Sequence, residues 1–277
     1  MRINTNINSM RTQEYMRQTS EKMNTAMNRL SSGKAINSAA DDAAGLAIAT
    51  RMRANEGGLN KASRNSQDGK SMIQTADAAL GTVSNILLRM RDLAVQSANG
   101  TNNATDRGAL QKEYDELNKQ VDYISKNTQF NGTKLMDTGV TDVKIKSTDA
   151  SNADTIDVKL IEVNTTKLKT GDGAGAGDAK ISTQTDADTA IKNIDDAINL
   201  IADHRATLGA TLNRLDYNIS NLNNQATAMA SSASQIEDAD MAKEMSEMTK
   251  FKILSEAGVS MLSQANQTPQ MVSKLLQ

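Results

Sequence analysis

The longest regular pattern in the sequence is a helical repeat of apolar residues that extends from Ala187 to Ile236. In "IKNIDDAINLIADHRATLGATLNRL", the apolar residues are spaced by alternating threes and fours, with a polar interruption at Arg205. This spacing is typical of a helix with one apolar face. Fifty helical residues span about 75 Å at 1.5 Å per residue. Such a helix buries its apolar face only by packing lengthwise against other long helices.

Two earlier segments carry the same spacing and are predicted to be those partners. The first is predicted to end at Asn99-Gly100, and a second helix follows the short connection "NGTNNATD" and packs back against it. With 2% aromatic residues, no Trp and a single Pro, the chain suits thin layers of packed helices. The predicted contact, called the rod seam here, comprises Ile73, Leu80, Val83, Leu87, Leu117, Val121, Ile194, Ile198, Ile201, Leu208, Leu212 and Leu215.

The middle of the chain has a different periodicity. "DVKIKST" and "DTIDVKLIEV" alternate apolar and polar residues around "DASNA", which predicts a β-hairpin. The following "KTGDGAGAGDAK" has the glycines of a phosphate-binding loop, but no Lys-Ser/Thr pair follows them. A flexible surface turn is the favoured interpretation of this stretch.

Both ends of the chain are amphipathic but more sparsely patterned. Isolated helices this polar are marginal in water, so we expect the ends to fold only against each other or against neighbouring copies. The residues predicted to pack there are Ile3, Ile7, Met10, Met27, Leu30, Met245, Met248, Leu254, Met261, Leu262, Leu275 and Leu276.

Composition argues against several classes of function. A net charge of −2 is unlike a nucleic-acid-binding surface, and the absence of Cys excludes disulfides and thiolate metal sites. The sequence has no run of 18 apolar residues, which a membrane span would require, and its start does not resemble a secretory signal. His204 is interpreted as a surface or boundary residue, Asp41-Asp42 as part of a helix cap beside Ser38, and Arg205 as a snorkelling side chain or an intersubunit ion pair. We therefore expect no catalytic residues, no metal and no cofactor.

Several motifs at both ends resemble bacterial flagellin. They include "MRINTNI", "RLSSGKAINSAADDAAGLAIATRMR", "RMRDLAVQSANGT", "TQFNGTKLMD" and "DADMAKEMSEMTKFKILSEAGVSMLSQANQTPQMVSKLL". The resemblance covers roughly residues 1 to 138 and 186 to 277. The sequence departs from the family pattern at Lys34-Ala35, where Leu-Arg is usual, and at Glu237, where a basic residue is common.

The resemblance implies a mainly α fold, with a long antiparallel helical rod, a small β-hairpin region and a terminal coiled coil. Residues 1–43 and 236–277 would form an inner coiled-coil domain that is disordered in the monomer. Residues 44–235 would form the outer rod domain, with the hairpin and turn region at about 130–185. Larger members of the family carry further outer domains that are expected to be missing here.

The implied function is that of a non-enzymatic structural subunit that polymerises into the helical flagellar filament. A hook–filament junction protein is the alternative, and an enzyme with catalytic residues in 139–185 is a more distant one. The implied partners are other copies of the chain, the filament cap, the junction proteins and an export chaperone at the C-terminal region. Export through the flagellar type III apparatus would place the protein outside the cell. Neither nucleic acid nor membrane is expected as a partner.

The resemblance also implies a surface recognised by the Toll-like flagellin receptor of animal hosts. The matching positions are Arg89, Leu93 and Glu113. They are expected to be exposed in the monomer, and packing against an adjacent protofilament is the alternative interpretation of the same residues.

Overall fold

The computed structural model describes residues 6–139, 141–148, 155–163, 168 and 180–275, with side chains of the last helix described as far as residue 268. Over these residues the fold is mainly α, as the sequence predicts. The elements are α1 (Ile7–Ser32), α2 (Ala43–Ala98), α3 (Ala104–Asn127), β1 (Gln129–Phe130), β2 (Thr133–Lys134), β3 (Val143–Lys146), β4 (Thr155–Val158), α4 (Gln184–Glu237) and α5 (Met241–Leu275).

A polar side chain precedes each of these helices and accepts a hydrogen bond from a backbone N–H of its first turn. The residues in order are Asn6, Asp42, Asn103, Thr183 and Asp240. Such caps satisfy backbone donors that have no partner inside the helix. At Asn103 the arrangement is reciprocal, because Asp106 also accepts from the Asn103 backbone. The local sequence therefore fixes where each helix begins.

The chain forms two compact units. One consists of residues 1–57 and 226–277, and the other of residues 58–225. Both points of division fall inside helices, α2 and α4. The limits near residues 43 and 236 were predicted for the inner and outer domains of an assembled filament. This division of a single chain does not test them, so they stay a prediction.

The unit of residues 58–225 is built around one apolar core shared by α2, α3 and α4. Nine of the rod-seam residues are buried in it: Ile73, Leu80, Val83, Leu87, Val121, Ile194, Ile201, Leu208 and Leu215. Leu117, Ile198 and Leu212 are half-buried and pack against this core. The spacing of threes and fours thus places one face of each helix in the interior.

Surface ion pairs connect the antiparallel helices of this unit. Arg89 on α2 contacts Glu113 on α3, and Arg91 contacts Asp195 on α4. Arg205 extends to Asp77, with Nε 2.7 Å from Oδ1. Arg205 is therefore paired within its own chain, and the intersubunit ion pair named as an alternative stays a prediction. Its guanidinium lies over Gly81, where a Cβ would come within 3.8 Å of it.

The predicted hairpin is present as β3 and β4, paired antiparallel with Ile145 opposite Ile156. Its turn "DASNA" and the glycine-rich stretch 171–177 lie outside the described residues. A second, shorter hairpin joins β1 to β2 through Asn131-Gly132. Both of these residues have positive φ, 48° and 79°, which is the backbone of the tight turns that Asn-Gly favours between antiparallel strands.

Helix α2 is continuous over 56 residues, through Gly57-Gly58 and Gly69. Glycine inside a helix costs stability relative to alanine, but Gly69 has a packing reason. A Cβ at this position would lie 2.1 Å from Cδ1 of Ile145 on the hairpin. The missing side chain lets the β3–β4 hairpin lie directly against α2. None of the described helices has an apolar stretch long enough to cross a membrane.

The core predicts a contrast between two adjacent leucines of α2. Leu87 is fully buried and Leu88 is 48% exposed. Leu87→Ala should lower the free energy of unfolding by about 2–5 kcal/mol, because it leaves a cavity in the core. Leu88→Ala should cost less than about 1 kcal/mol. Urea unfolding followed by circular dichroism checks this, and equal losses in the two variants would contradict the assignment of the core.

Candidate assembly surface

Helices α1 and α5, at the two ends of the chain, pack against each other antiparallel. The Asn6 side chain donates a hydrogen bond to the Ala265 carbonyl at 2.8 Å. Further along the pair, Met16 fills the space over Gly258, where a Cβ would lie 2.9 Å from its Cγ. The chain ends thus meet each other, as their sparse apolar patterns predict.

This pairing buries little apolar surface. Ala26 is the buried residue of α1, and most of the exposed large apolar side chains of the described residues belong to the unit that contains α1 and α5. They are Ile7, Met10, Tyr15, Met27, Ile48, Met241, Met245, Ile253, Leu254, Val259 and Met261. Exposed apolar surface on this scale is typical of a surface that contacts another protein.

The predicted packing residues of the ends divide into three groups. Leu30, Met248 and Leu262 are half-buried, whereas Ile7, Met10, Met27, Met245, Leu254 and Met261 are exposed. Ile3, Leu276 and the Leu275 side chain lie outside the described residues. Sequence reasoning missed Tyr15, Ile253 and Val259, because these residues fall off the strips of threes and fours on which it relied.

A buried carboxylate lies inside the α1–α5 contact. The Glu244 side chain is 8% exposed, and Arg29 donates to its Oε1 at 3.3 Å. Nε of Arg29 and Oε2 of Glu244 are both buried without a hydrogen-bond partner among the described residues. Unsatisfied polar atoms of this kind reduce stability, so this contact is weaker than its ion pair suggests.

A second buried carboxylate joins the segments next to these helices. Glu237 has a side chain that is 9% exposed, and its two oxygens contact Lys34 Nζ and Arg53 Nε. This carboxylate thus links the α1–α2 connection to helix α2.

The loop between α1 and α2 is held by a carboxylate. Asp41 Oδ2 accepts hydrogen bonds from the backbone N–H groups of Ser38 and Asn37 and from the Ser38 hydroxyl. The Ser38 backbone donor, more than the others, holds the pKa of Asp41 below its ordinary value. Asp42 caps α2 through the N–H groups of Ala44 and Gly45. The two acids therefore have the structural role that the sequence predicts.

The described residues carry little that suggests chemistry. His204 is half-buried on α4. No group of three His, Asp or Glu side chains capable of holding a metal ion occurs among the residues that the structure describes.

The predicted receptor surface is only partly exposed. Arg89 donates to Glu113 through Nε and Nη2 at 2.9 and 2.7 Å, and both side chains are about half exposed. Leu93 is 1% exposed. The expectation that Leu93 is exposed is therefore wrong, because this residue lies on the face of α2 that packs into the core beside Met90 and Ala94.

Paired terminal helices with exposed apolar strips, joined to a separately packed helical unit, define a self-assembling structural subunit. The family profile described as "Bacterial flagellin N-terminal helical region" matches residues 3–141, and that described as "Bacterial flagellin C-terminal helical region" matches residues 191–276. The chain belongs to the bacterial flagellin family, and it is a structural subunit of the flagellar filament.

Individual relatives agree with this assignment. A flagellin of Listeria monocytogenes is 48% identical over 285 residues, covering 100% of this chain and 99% of the relative. The crystal structure of Bacillus cereus flagellin is 46% identical, with a TM-score of 0.51, over 61% of this chain and 94% of that one. A putative flagellar hook-associated protein from Vibrio parahaemolyticus has a TM-score of 0.58 over 72% of this chain and 100% of that one. It is 16% identical and so shows a shared fold alone.

Proposed function

We propose that this flagellin assembles by coupled folding, in which α1 and α5 become ordered only when neighbouring copies cover them. The exposed apolar side chains of these helices carry the proposal. Ordering a residue costs about 1–2 kcal/mol of backbone entropy, while α1 offers one buried apolar side chain in return. Within a single chain the entropy cost of ordering α1 therefore exceeds the free energy gained by burial. Contacts with neighbouring copies in a lattice add burial and make the ordering favourable.

Neighbouring copies supply the missing contacts. Burying a large apolar side chain stabilises by about 1.5–3 kcal/mol, and each end has several to bury. A surface that meets a different surface on the next copy repeats without closing, and so builds a helical polymer. The predicted packing residues of the ends, from Ile7 to Leu262, would line these contacts, and the rod seam would act as the scaffold from which the ends extend.

The same proposal includes the partners and location that go with a flagellar subunit. We propose export through the flagellar type III apparatus to an extracellular position, with an export chaperone at the C-terminal region and the cap and junction proteins as further partners. Resemblance to the family supports these assignments. No catalytic role is proposed, since the segment 139–185 contains neither His nor Cys. Nothing favours the hook–filament junction role over the filament role.

Removing the C-terminal helix should separate folding from assembly. A chain that ends at residue 240 should keep helical circular dichroism and a cooperative melt, because the core of residues 58–225 is independent of α5. It should fail to extend filament seeds, as electron microscopy would record. Native-length filaments from the truncated chain would contradict the proposal.

A point variant tests the same surface without truncation. Leu254→Asn replaces a side chain that is 47% exposed, so it should leave the melt unchanged but slow seed extension at least about tenfold, if one buried apolar side chain per copy is lost. Ser260→Asn, at another exposed position of α5, is the matched control and should extend seeds normally.

We also propose that Arg89 and Glu113 form a surface for the Toll-like flagellin receptor. Arg89→Ala should reduce signalling by free subunits in a reporter-cell assay, and free subunits should signal more strongly than crosslinked filaments. Arg205→Ala is the matched control, since Arg205 is also a half-exposed arginine paired across two helices. Leu93→Ala is unsuitable because it would create a cavity. Equal signalling by Arg89→Ala and Arg205→Ala would count against this surface.

A further inference from the structure

Methionine is distributed unevenly between the two units of the chain. Residues 58–225 contain three methionines, Met72, Met90 and Met136, and each is at most 6% exposed. Residues 10–27 and 241–261, in α1 and α5, contain four methionines each, called the terminal methionines here. All eight are exposed or half-buried. The five with the largest exposed fractions, from 47% to 64%, are Met10, Met27, Met241, Met245 and Met261.

These side chains are the ones that a mild oxidant reaches first. The chain has neither Cys nor Trp, and the thioether of methionine is readily oxidised to the sulfoxide. The sulfur lone pair attacks one oxygen of hydrogen peroxide, and the O–O bond breaks. The proton of the transferred oxygen then passes to the departing hydroxide, which leaves as water. The sulfur loses two electrons and the peroxide gains them.

Access of peroxide to the terminal methionines does not require α1 and α5 to be ordered. In the paired helices five of the eight side chains are exposed, and unfolding of the ends would expose the other three as well. The three methionines of the other unit stay enclosed as long as its core is folded. Oxidation of the free subunit therefore begins at its ends in either state.

Oxidation changes how these side chains can pack. Methionine is apolar and flexible, so it adapts to irregular contacts between helices. Its sulfoxide is polar and chiral, which disrupts contacts that are rich in methionine. Burying such a polar group without a hydrogen-bond partner is unfavourable. An oxidised subunit would therefore lose apolar burial at both ends while its core stays intact.

We infer that the terminal methionines are an oxidation site at which peroxide reversibly blocks entry of the free subunit into the filament. Filament growth is then sensitive to peroxide. The finished filament is protected, because neighbouring copies cover the same side chains. Preferential oxidation of the ends in the free subunit is independent of the proposed function, whereas the block to assembly and the protection in the filament rest on it.

Peptide mapping by mass spectrometry after treatment with hydrogen peroxide tests the site. In free subunits, the five exposed terminal methionines should be oxidised at least about tenfold faster than Met72, Met90 and Met136. The cooperative melt should be unchanged, since the core sulfur atoms are not reached. Equal rates at the ends and in the core would overturn the site. In filaments the terminal methionines should react about tenfold more slowly than in free subunits, and equal rates in the two states would overturn the protection.

Seed extension tests the block to assembly. Free subunits treated with peroxide, and then separated from it, should extend seeds at least about tenfold more slowly than untreated ones. A variant with all eight terminal methionines changed to Leu keeps the apolar character and volume, and the same treatment should slow it by less than about threefold. The matched control carries Met72→Leu, Met90→Leu and Met136→Leu, and it should stay as sensitive as the unaltered chain. Equal sensitivity of the two variants would overturn the block.

Enzymatic repair gives a second readout on the unaltered chain. Methionine sulfoxide reductases for both sulfoxide epimers, supplied with a thiol reductant, should restore seed extension to within about twofold of the untreated rate. Continued failure to extend seeds after the peptide map shows the sulfoxides removed would overturn the block, and this result decides even if the eight-leucine variant does not assemble. If untreated, unaltered subunits fail to extend seeds, the proposed function fails, and the peptide map still decides whether the ends are the preferred oxidation site.

Discussion

The structure depends on one constraint, which is that helices α1 and α5 do not bury their own apolar surface. Their contact contains a few small or flexible side chains, among them Ala26 and the Met16–Gly258 pair, and an imperfectly satisfied Arg29–Glu244 pair. Most of the other large apolar residues of these helices are exposed, whereas Leu30, Met248 and Leu262 are half-buried. Removing apolar surface from water is favourable. The two terminal helices are therefore most stable when other copies cover their exposed apolar side chains.

The unit of residues 58–225 shows the opposite balance. Its three helices close their seams on one another, and a hairpin covers α2 at Gly69. Its ion pairs lie on the surface, where each contributes about 0–1 kcal/mol, so the buried aliphatic and Met side chains carry its stability. One unit of the subunit therefore buries its apolar residues by itself, and the other leaves them exposed. Such a subunit can stay folded as a monomer until its terminal helices bind neighbouring copies.

Sequence reasoning recovered the features that repeat along the chain. The spacing of threes and fours predicted the core of α2, α3 and α4, and alternation predicted the β3–β4 hairpin. Asn131-Gly132 between "TQF" and "TKL" was a usable signal for the second hairpin, but its strands are two residues each, too short to show alternation. The sequence could not indicate that α2 passes unbroken through Gly57-Gly58, since glycine is tolerated in a helix where packing supplies the stability.

Pairings between distant residues were beyond reach of the sequence. Arg205 meets Asp77, and Lys34 meets Glu237, across 128 and 203 residues of chain. No local pattern specifies such partners, because they follow from how long helices align. The Leu93 error has the same origin. A motif match gave this residue a surface role, whereas its position relative to Met90 and Ala94 places it in the core.

Amide hydrogen exchange, compared between free subunits and assembled filaments, tests the central claim most directly, because it reports local opening residue by residue. The account predicts that amides of α1 and α5 exchange rapidly in the free subunit and become protected at least about 100-fold in the filament. Core amides between Ile73 and Ala94 should be equally protected in both. Protection of α1 and α5 in the free subunit that matches that of the core would contradict the account.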